Sequence, residues 1–255
     1  MSRQRRATLV VLAIVDALAG CSAAPIDVAT LAPDSLTEGQ VAHWRFDDNI
    51  GDTVRDSSGN GRDGTIGGAT ASWINGKFGG ALHFVGGDQV TVPVFPQPTR
   101  SYSVAAWLRV EMLDVDFDNP SPTLVTTETP LVGGWSLNAI VGPPPGNYAF
   151  AYYDGSGTQD VAAECACFDV GPWVHLVGVV DAETASATLY VNGEARERVS
   201  PAPAIPPGDR TLRMGRAAIP GRLLTGALDD IVIYARALVP EEISRLGTAP
   251  APDPR

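Results

Sequence analysis

From residue 41 onward the sequence never holds one apolar period for long. Runs of four to nine residues with strand character are each cut off by a turn cluster. That rhythm constrains the fold more than any other feature, because strands this short bury a face only when many of them pair into layered sheets. Residues 41–46 alternate and end in Asp47-Asp48-Asn49, and Ser57-Ser58-Gly59-Asn60-Gly61 is a tight-turn cluster. Residues 81–85 and 89–92 flank Gly86-Gly87-Asp88, a short hairpin signal. Residues 102–110 set Tyr102, Val104, Ala106, Leu108 and Val110 on one face. Strand candidates follow at 135–141, 148–153 and 161–168, with Asp154-Gly155-Ser156-Gly157 turning between the last two. Segments 173–181 and 187–191 lead to Asn192-Gly193, a dipeptide suited to a type I′ hairpin turn, and 227–234 is the last candidate. The 27 glycines and 21 prolines are spread along the chain, as many short elements joined by many turns require.

One stretch favours a helix: residues 240–246, with Pro240 at its start and Glu241 and Glu242 in its first turn. About a dozen strands and one short helix predict an all-β fold, a two-sheet antiparallel β-sandwich or jelly roll. Residues 113–130 lack a clear pattern and are expected to form a long loop. The expected organisation is a leader over 1–20, a tether over 21–39, the sandwich over 40–247 and a Pro-rich tail over 248–255.

The formal charge is −11 at pH 7. Residues 1–20 carry Arg3, Arg5 and Arg6 against Asp16 alone, so the remainder is more negative than the total. Such a balance argues against nucleic acid and against acidic membrane surfaces as partners.

The three arginines form a positive n-region before an apolar stretch over residues 7–15. A bilayer span needs roughly 20 apolar residues, so this stretch suits a secretory h-region instead. It ends in Leu18-Ala19-Gly20-Cys21, which resembles the lipobox of bacterial lipoproteins. That resemblance implies cleavage before Cys21, acylation of its thiol and a membrane anchor, and Ser22 resembles an outer-membrane sorting signal. The alternative is an ordinary signal cut near Ala23-Ala24 that leaves a soluble product. Asp16 departs from the uninterrupted apolar run of the pattern.

Seven motifs in order resemble the laminin-G-like, concanavalin A-like jelly-roll family of bacterial surface proteins. They are His43-Trp44-Arg45-Phe46-Asp47, Asp56-Ser57-Ser58-Gly59-Asn60-Gly61, Gly76-Lys77-Phe78-Gly79-Gly80-Ala81-Leu82-His83-Phe84, and Tyr102-Ser103-Val104-Ala105-Ala106-Trp107. Trp173-Val174-His175-Leu176, Leu189-Tyr190-Val191-Asn192-Gly193 and the run Gly226-Ala227-Leu228-Asp229-Asp230-Ile231-Val232-Ile233-Tyr234 complete the series. Trp44, Phe46, Phe84, Trp107 and Trp173 are then the bulky residues expected between the sheets. The resemblance implies that first and last strands lie together, bringing Asp48 near Asp229 and Asp230.

Relatives of this kind include glycosidases with a Glu-x-Asp-x-x-Glu strand, whose carboxyls stand close enough for retaining hydrolysis. Neither that pattern nor a Gly-x-Ser-x-Gly elbow occurs here, so a non-catalytic module is expected. His43, His83 and His175 lie in separate strands and are expected as packed sheet residues. The resemblance implies a structural calcium, for which Asp48, Asp56, Asn60 and Asp229 could supply oxygens; the alternative is that they cap turns. It also implies a glycan or cell-surface protein as ligand. Trp135, Asn138, Tyr148, Tyr152, Tyr153 and Asp154 offer aromatic platforms with polar neighbours, unless the aromatics pack in the core. Tyr152 and Tyr153 are adjacent, so one of them must face away from the core. Cys165 and Cys167, two apart, could form a disulfide in an oxidising compartment or remain buried thiols.

Overall fold

The structure is a computed structural model that describes residues 36–112, 123–127, 133–140, 146–153, 159–167, 170–200, 205–218 and 221–252. The leader, Cys21, most of the tether, Asp154 and the end of the tail lie outside the described residues.

In chain order the strands are β1 (Gln40–Trp44), β2 (Thr53–Val54), β3 (Gly64–Gly67), β4 (Ser72–Asn75), β5 (Gly80–Phe84), β6 (Gln89–Pro96), β7 (Tyr102–Met112) and β8 (Thr123–Thr126). They continue as β9 (Gly134–Ile140), β10 (Asn147–Tyr153), β11 (Gln159–Cys165), β12 (Val174–Asp181), β13 (Ser186–Val191), β14 (Glu194–Val199), β15 (Asp209–Met214) and β16 (Thr225–Tyr234). A single helix, α1 (Pro240–Leu246), follows.

The strands form two 8-stranded antiparallel sheets. Sheet A runs β14-β13-β12-β7-β16-β5-β4, with β1 also paired to β16; sheet B runs β11-β10-β9-β8-β15-β6-β3-β2. The expected sandwich is therefore present, and first and last strands do pair, Trp44 opposite Ile231.

The expected inward face of β7 is the observed one: Tyr102, Val104, Ala106, Leu108 and Val110 all enter the core between the sheets. Sheet B supplies Val90, Val92, Leu137, Phe150, Leu212 and Met214 from the other side. The layers approach so closely that Gly178 of β12 leaves no room for a Cβ against the Phe150 ring. Asn192 and Gly193, with φ of 52° and 83°, make the predicted turn between β13 and β14.

Four expectations are corrected. Gly86-Gly87-Asp88 closes no hairpin, because β5 belongs to sheet A and β6 to sheet B. The turn carries the chain between layers and is pinned by the Asp88 carboxylate, which accepts from the backbone N–H groups of Val85 at 3.0 Å and Thr70 at 3.2 Å. Within the expected loop over 113–130, residues 123–126 form β8, whose four side chains are all buried and so show no alternation. Trp107 is buried but lies on the outer face of sheet A, under Lys77, and Trp173 is half-exposed beneath Arg109. Neither fills the space between the sheets; Trp44, Phe46 and Phe84 do.

α1 spans the residues expected of it. Arg236 grips the Glu242 carboxylate at 2.7 and 2.9 Å, and the same carboxylate accepts from the Val239 N–H, closing the first turn. Ile243 and Leu246 of the helix pack with Leu36 and Ala251 over Ala105, Val177, Val179 and Val232. The packed body thus reaches from Leu36 to Ala251, beyond the expected limits of 40 and 247.

Candidate functional site

Each sheet has an inner face in the core and an outer face, and the outer faces differ in chemistry. On sheet A, α1 covers one end. In the middle Lys77, the chain's single lysine, places Nζ 4.4 Å from the Trp107 ring centroid, and His175 stacks on Trp107 at 5.0 Å. Burial, with the nearby Lys77 charge second, lowers the His175 pKa to about 3, so this ring is neutral at physiological pH. At the far end His83 and Arg109 share the Glu111 carboxylate, His83 Nε2 at 2.8 Å and Arg109 Nε at 3.1 Å. Although burial opposes it, hydrogen bonds from Arg109 and His83 hold the Glu111 pKa below the ordinary glutamate value.

A bulge between Asp229 and Val232, with Asp230 at a φ of 43°, turns two successive acids out of the core. Asp230 Oδ1 meets His43 Nε2 at 2.7 Å and Oδ2 accepts from the Ala251 N–H. Asp229 Oδ2 accepts from the Phe78 N–H at 2.9 Å, fixing the turn between β4 and β5. Burial, with the Asp230 charge as a lesser cause, pushes Asp229 up to about 7. All three histidines are thus packed sheet residues, and His175 Nδ1 is buried with no hydrogen-bond partner among the described residues.

The four residues expected to hold calcium do not fit one ion. Asp56 Oδ1 accepts from the N–H groups of His43 and Ser58, both at 2.9 Å, and Oδ2 from that of Arg62 at 2.9 Å. The Asn60 amide donates to the carbonyls of Gln40 and Val41, locking the same turn onto β1. Asp48 accepts from the Arg55 N–H at 3.1 Å, and Asp229 serves the Phe78 turn. Among the described residues no group of three or more His, Cys, Asp or Glu side chains is placed to hold a metal. These side chains act as turn locks.

The residues expected to form an aromatic platform are corrected as well. Trp135, Tyr148 and Tyr152 are buried in the core. Trp135 and Phe150 lie 6.2 and 6.1 Å from Tyr102, and Tyr152 sits edge-on to Phe150 at 5.0 Å. Burial raises the phenols of Tyr102 and Tyr152 well above the ordinary tyrosine range. Tyr153 ends β10 opposite Gly134 and Gln159. Cys165 and Cys167 are joined as a disulfide at the end of β11, Cα atoms 5.2 Å apart.

The same segment nevertheless carries polar chemistry on its other face. Between the inward aromatics, Ser136, Asn138, Ala149 and Ala151 occupy the outer face of sheet B. Asn138 Nδ2 donates to Ser136 Oγ at 2.7 Å. Asn138 Oδ1 and the Oγ1 of its cross-strand neighbour Thr123 are buried and have no hydrogen-bond partner among the described residues. One strand row crosses the whole face: Thr65, Thr91, Arg213, Thr126 and Ser136 stand directly opposite one another on β3, β6, β15, β8 and β9. The row passes from exposed Thr65 through half-buried Thr91 and Arg213 to buried Thr126 and Ser136. Arg213 escaped the sequence reading, although Thr211-Leu212-Arg213-Met214 carries the alternation that would have found it.

Two other concavities are already spent. One of about 370 Å³ at the rim between β1 and the end of β6 is walled by Phe95, Pro96, Pro98 and Tyr234, and the Arg62 guanidinium within it is held by the Val41 carbonyl. Another of about 360 Å³ is lined by Arg45, Asp47, Asp48 and Arg55, which pair among themselves.

The fold and the two contrasting outer faces define a concanavalin A-like sandwich. The chain belongs to the concanavalin A-like lectin/glucanases superfamily, whose Laminin_G_3 model matches residues 84–244. No curated protein matches it by sequence. Among solved structures it is similar to domain 4 of AbnA, a GH43 extracellular arabinanase from Geobacillus stearothermophilus, in complex with arabinotriose. That likeness has a TM-score of 0.64 and 23% identity over 82% of this chain and 98% of that one. It is also similar to the binding domain of botulinum neurotoxin DC in complex with rat synaptotagmin II (TM-score 0.64, 14% identity, 84% of this chain and 52% of that one). The binding domain of Paraclostridial Mosquitocidal Protein 1 is a third (TM-score 0.63, 18% identity, 83% and 52%). The chain spans about half of the two toxin binding domains. At these identities the likeness shows the fold.

Proposed function

We propose that the chain is a non-catalytic, exported module that binds glycans at the outer face of sheet B and is held at a bacterial outer membrane through acylated Cys21. The observation that carries the binding site is the accessible half of that row, exposed Thr65 with half-buried Thr91 and Arg213, where the other sheet offers covered aromatic and apolar groups. Sugars are recognised by such convergent polar groups on a rigid floor. The similar arabinanase domain was solved with arabinotriose, which supports a saccharide ligand. No Glu-x-Asp-x-x-Glu strand is present to perform hydrolysis.

A glycan array probed with the detergent-solubilised full chain tests the reading. Filling the half-buried Thr91 position by Thr91→Trp is expected to abolish the array signal while the melting temperature changes little. Retained binding in Thr91→Trp would place the site elsewhere. For the anchor, Cys21→Ser is expected to release the protein from membranes and to end radiolabelled palmitate incorporation.

A protein ligand is the second reading. Ile50 is 81% exposed beside the half-buried Trp73, whose Nε1 donates to the Gly51 carbonyl, an apolar tip suited to a protein surface. The similar toxin domain in complex with synaptotagmin II supports this class of partner. Absence of any array signal together with a partner whose capture is lost in Ile50→Asp would favour it.

A further inference from the structure

Most strand edges of the sandwich are guarded. The turn over 56–62 covers the outer side of β1: the Ser57 N–H donates to the His43 carbonyl at 2.7 Å, and the Asn60 amide to the carbonyls of Gln40 and Val41. β14, at one end of sheet A, carries Glu194, Arg196, Glu197 and Arg198. At the ends of sheet B, β11 has its Glu164 N–H taken by the Glu197 carboxylate, and β2 is only 2 residues long. Cover, charge and brevity are ordinary protections of an edge strand. β4, the other end of sheet A, is different. Its sequence Ser72-Trp73-Ile74-Asn75 carries no charge and no proline, and its register with β5 runs without a bulge.

β4 lies within the unbroken described stretch 36–112. Across the Lys77-Phe78 turn the Gly76 N–H donates to the Gly79 carbonyl at 2.9 Å, which makes these glycines a hydrogen-bonded pair. The pairs alternate from there. Asn75 opposite Gly80 is non-bonded, Ile74 opposite Ala81 is bonded, and Trp73 opposite Leu82 is non-bonded. The Gly80 N–H, which donates to the Asp47 carboxylate at 2.7 Å instead of to β4, agrees with that phase. The backbone N–H and C=O groups of Trp73 and Asn75 therefore point away from β5 to the free edge. Ser72 and Asn75 are exposed, and Trp73 and Ile74 are half-buried, so a second strand can reach them.

The two outward positions are symmetric about Ile74. When β4 pairs antiparallel with a second β4, Trp73 of each copy meets Asn75 of the other, and both become hydrogen-bonded pairs. Ile74 then falls on the two-fold axis, on the same sheet face as its partner Ala81. A residue on such an axis meets its own copy, which suits a β-branched apolar side chain and penalises a charged one. A net charge of −11 repels one copy from another, yet residues 71–76 hold no charged side chain.

We propose that β4 is a self-association edge, where a second copy of this chain pairs antiparallel about a two-fold axis at Ile74 and continues sheet A across the dimer. This goes beyond the glycan reading and does not depend on it, because the outer face of sheet B stays free.

Cysteine cross-linking of the detergent-solubilised full chain tests the register. Across a non-hydrogen-bonded antiparallel pair the Cβ atoms stand about 4.5 Å apart, so Ile74→Cys is expected to form an inter-chain disulfide under mild oxidation. Ser72 faces Gly76 of the second copy and lies about 13 Å from its own counterpart, so Ser72→Cys should cross-link at least tenfold more slowly. Cys21, Cys165 and Cys167 are common to both variants and cancel from the comparison. Asn75→Pro removes an outward N–H and spares the bonds to β5. Sedimentation should find it monomeric where the native chain is dimeric, with an unchanged melting temperature. Ile74→Lys, which sets like charges on the axis, should do the same. Equal cross-linking at positions 72 and 74 overturns the proposal, as do dimers that persist in both Asn75→Pro and Ile74→Lys. A native chain that stays monomeric overturns it too, and loss of another protein's capture in Asn75→Pro would then give the edge to a foreign strand.

Discussion

The outer faces of the two sheets are built on the same alternation and end in opposite states. On sheet A, every second residue of β7 and β12 supplies Ala105, Trp107, Val177 and Val179, and the chain lays Leu36, α1 and Ala251 over most of them. On sheet B the equivalent positions are Thr91, Arg213, Thr126, Ser136 and Asn138, which cannot be covered by apolar groups without a desolvation cost of roughly 1–3 kcal/mol for each unpaired polar group. One face is a second small core. The other is polar, half-exposed at Thr91 and Arg213 and buried at Thr126, Ser136 and Asn138. The contrast is what favours the outer face of sheet B in the proposed function.

The comparison breaks first at Trp107. If the outer face of sheet A is structural, Trp107→Ala should destabilise by about 3–5 kcal/mol, the cost of a buried indole, while ligand affinity per folded molecule is unchanged. Chemical denaturation measures the first and titration below the transition the second. A loss of affinity at native stability would assign this face a ligand.

Asp229 gives the next effect. Its folded pKa is raised from 3.8 to about 7, so its contribution to stability is fully present below pH 3.8 and is lost as pH rises through about 7. Asp229→Asn removes that loss while keeping an acceptor for the Phe78 N–H, and its melting temperature should gain on the native protein from pH 5 to about pH 7 and level off above. A pH-independent difference would contradict the buried acid. His175, lowered from 6.5 to about 3, acts oppositely: its contribution is present above pH 6.5 and fades as pH falls toward 3. It titrates equally in both proteins and cancels from the difference.

Reducing the disulfide on sheet B should cost only about 1–2 kcal/mol by the chain-entropy relation, because the loop it closes is three residues long. Metal removal is expected to have the smallest effect. With Asp56, Asn60 and Asp229 engaged by backbone groups, EDTA should leave the melting temperature unchanged. A fall of several degrees would show that the turns hold an ion.

Much of the sandwich was legible because alternation is a local property. The inward set of β7, the Asn192-Gly193 turn and α1 all follow from spacing within one segment. β8 was hidden, since a strand buried on both faces has no alternation to show. The turn at Gly86-Gly87-Asp88 misled for a related reason: turn chemistry announces a change of direction and is silent on whether the next strand rejoins the same sheet. For the candidate site, the segment was right and the phase was not. Trp135, Tyr148 and Tyr152 drew attention as aromatics, and their size is what places them inside, where each gains roughly 1.5–3 kcal/mol or more from burial.

The sequence by itself determined that this chain would be a two-layer antiparallel sandwich, because short alternating strands and abundant turn residues permit little else. Which side of β7 faces the core followed from the same local periodicity. Only the tertiary structure decided that Thr65, Thr91, Arg213, Thr126 and Ser136 would share one row. Strand register and order come from pairings between distant segments, and nothing within a ten-residue window encodes them.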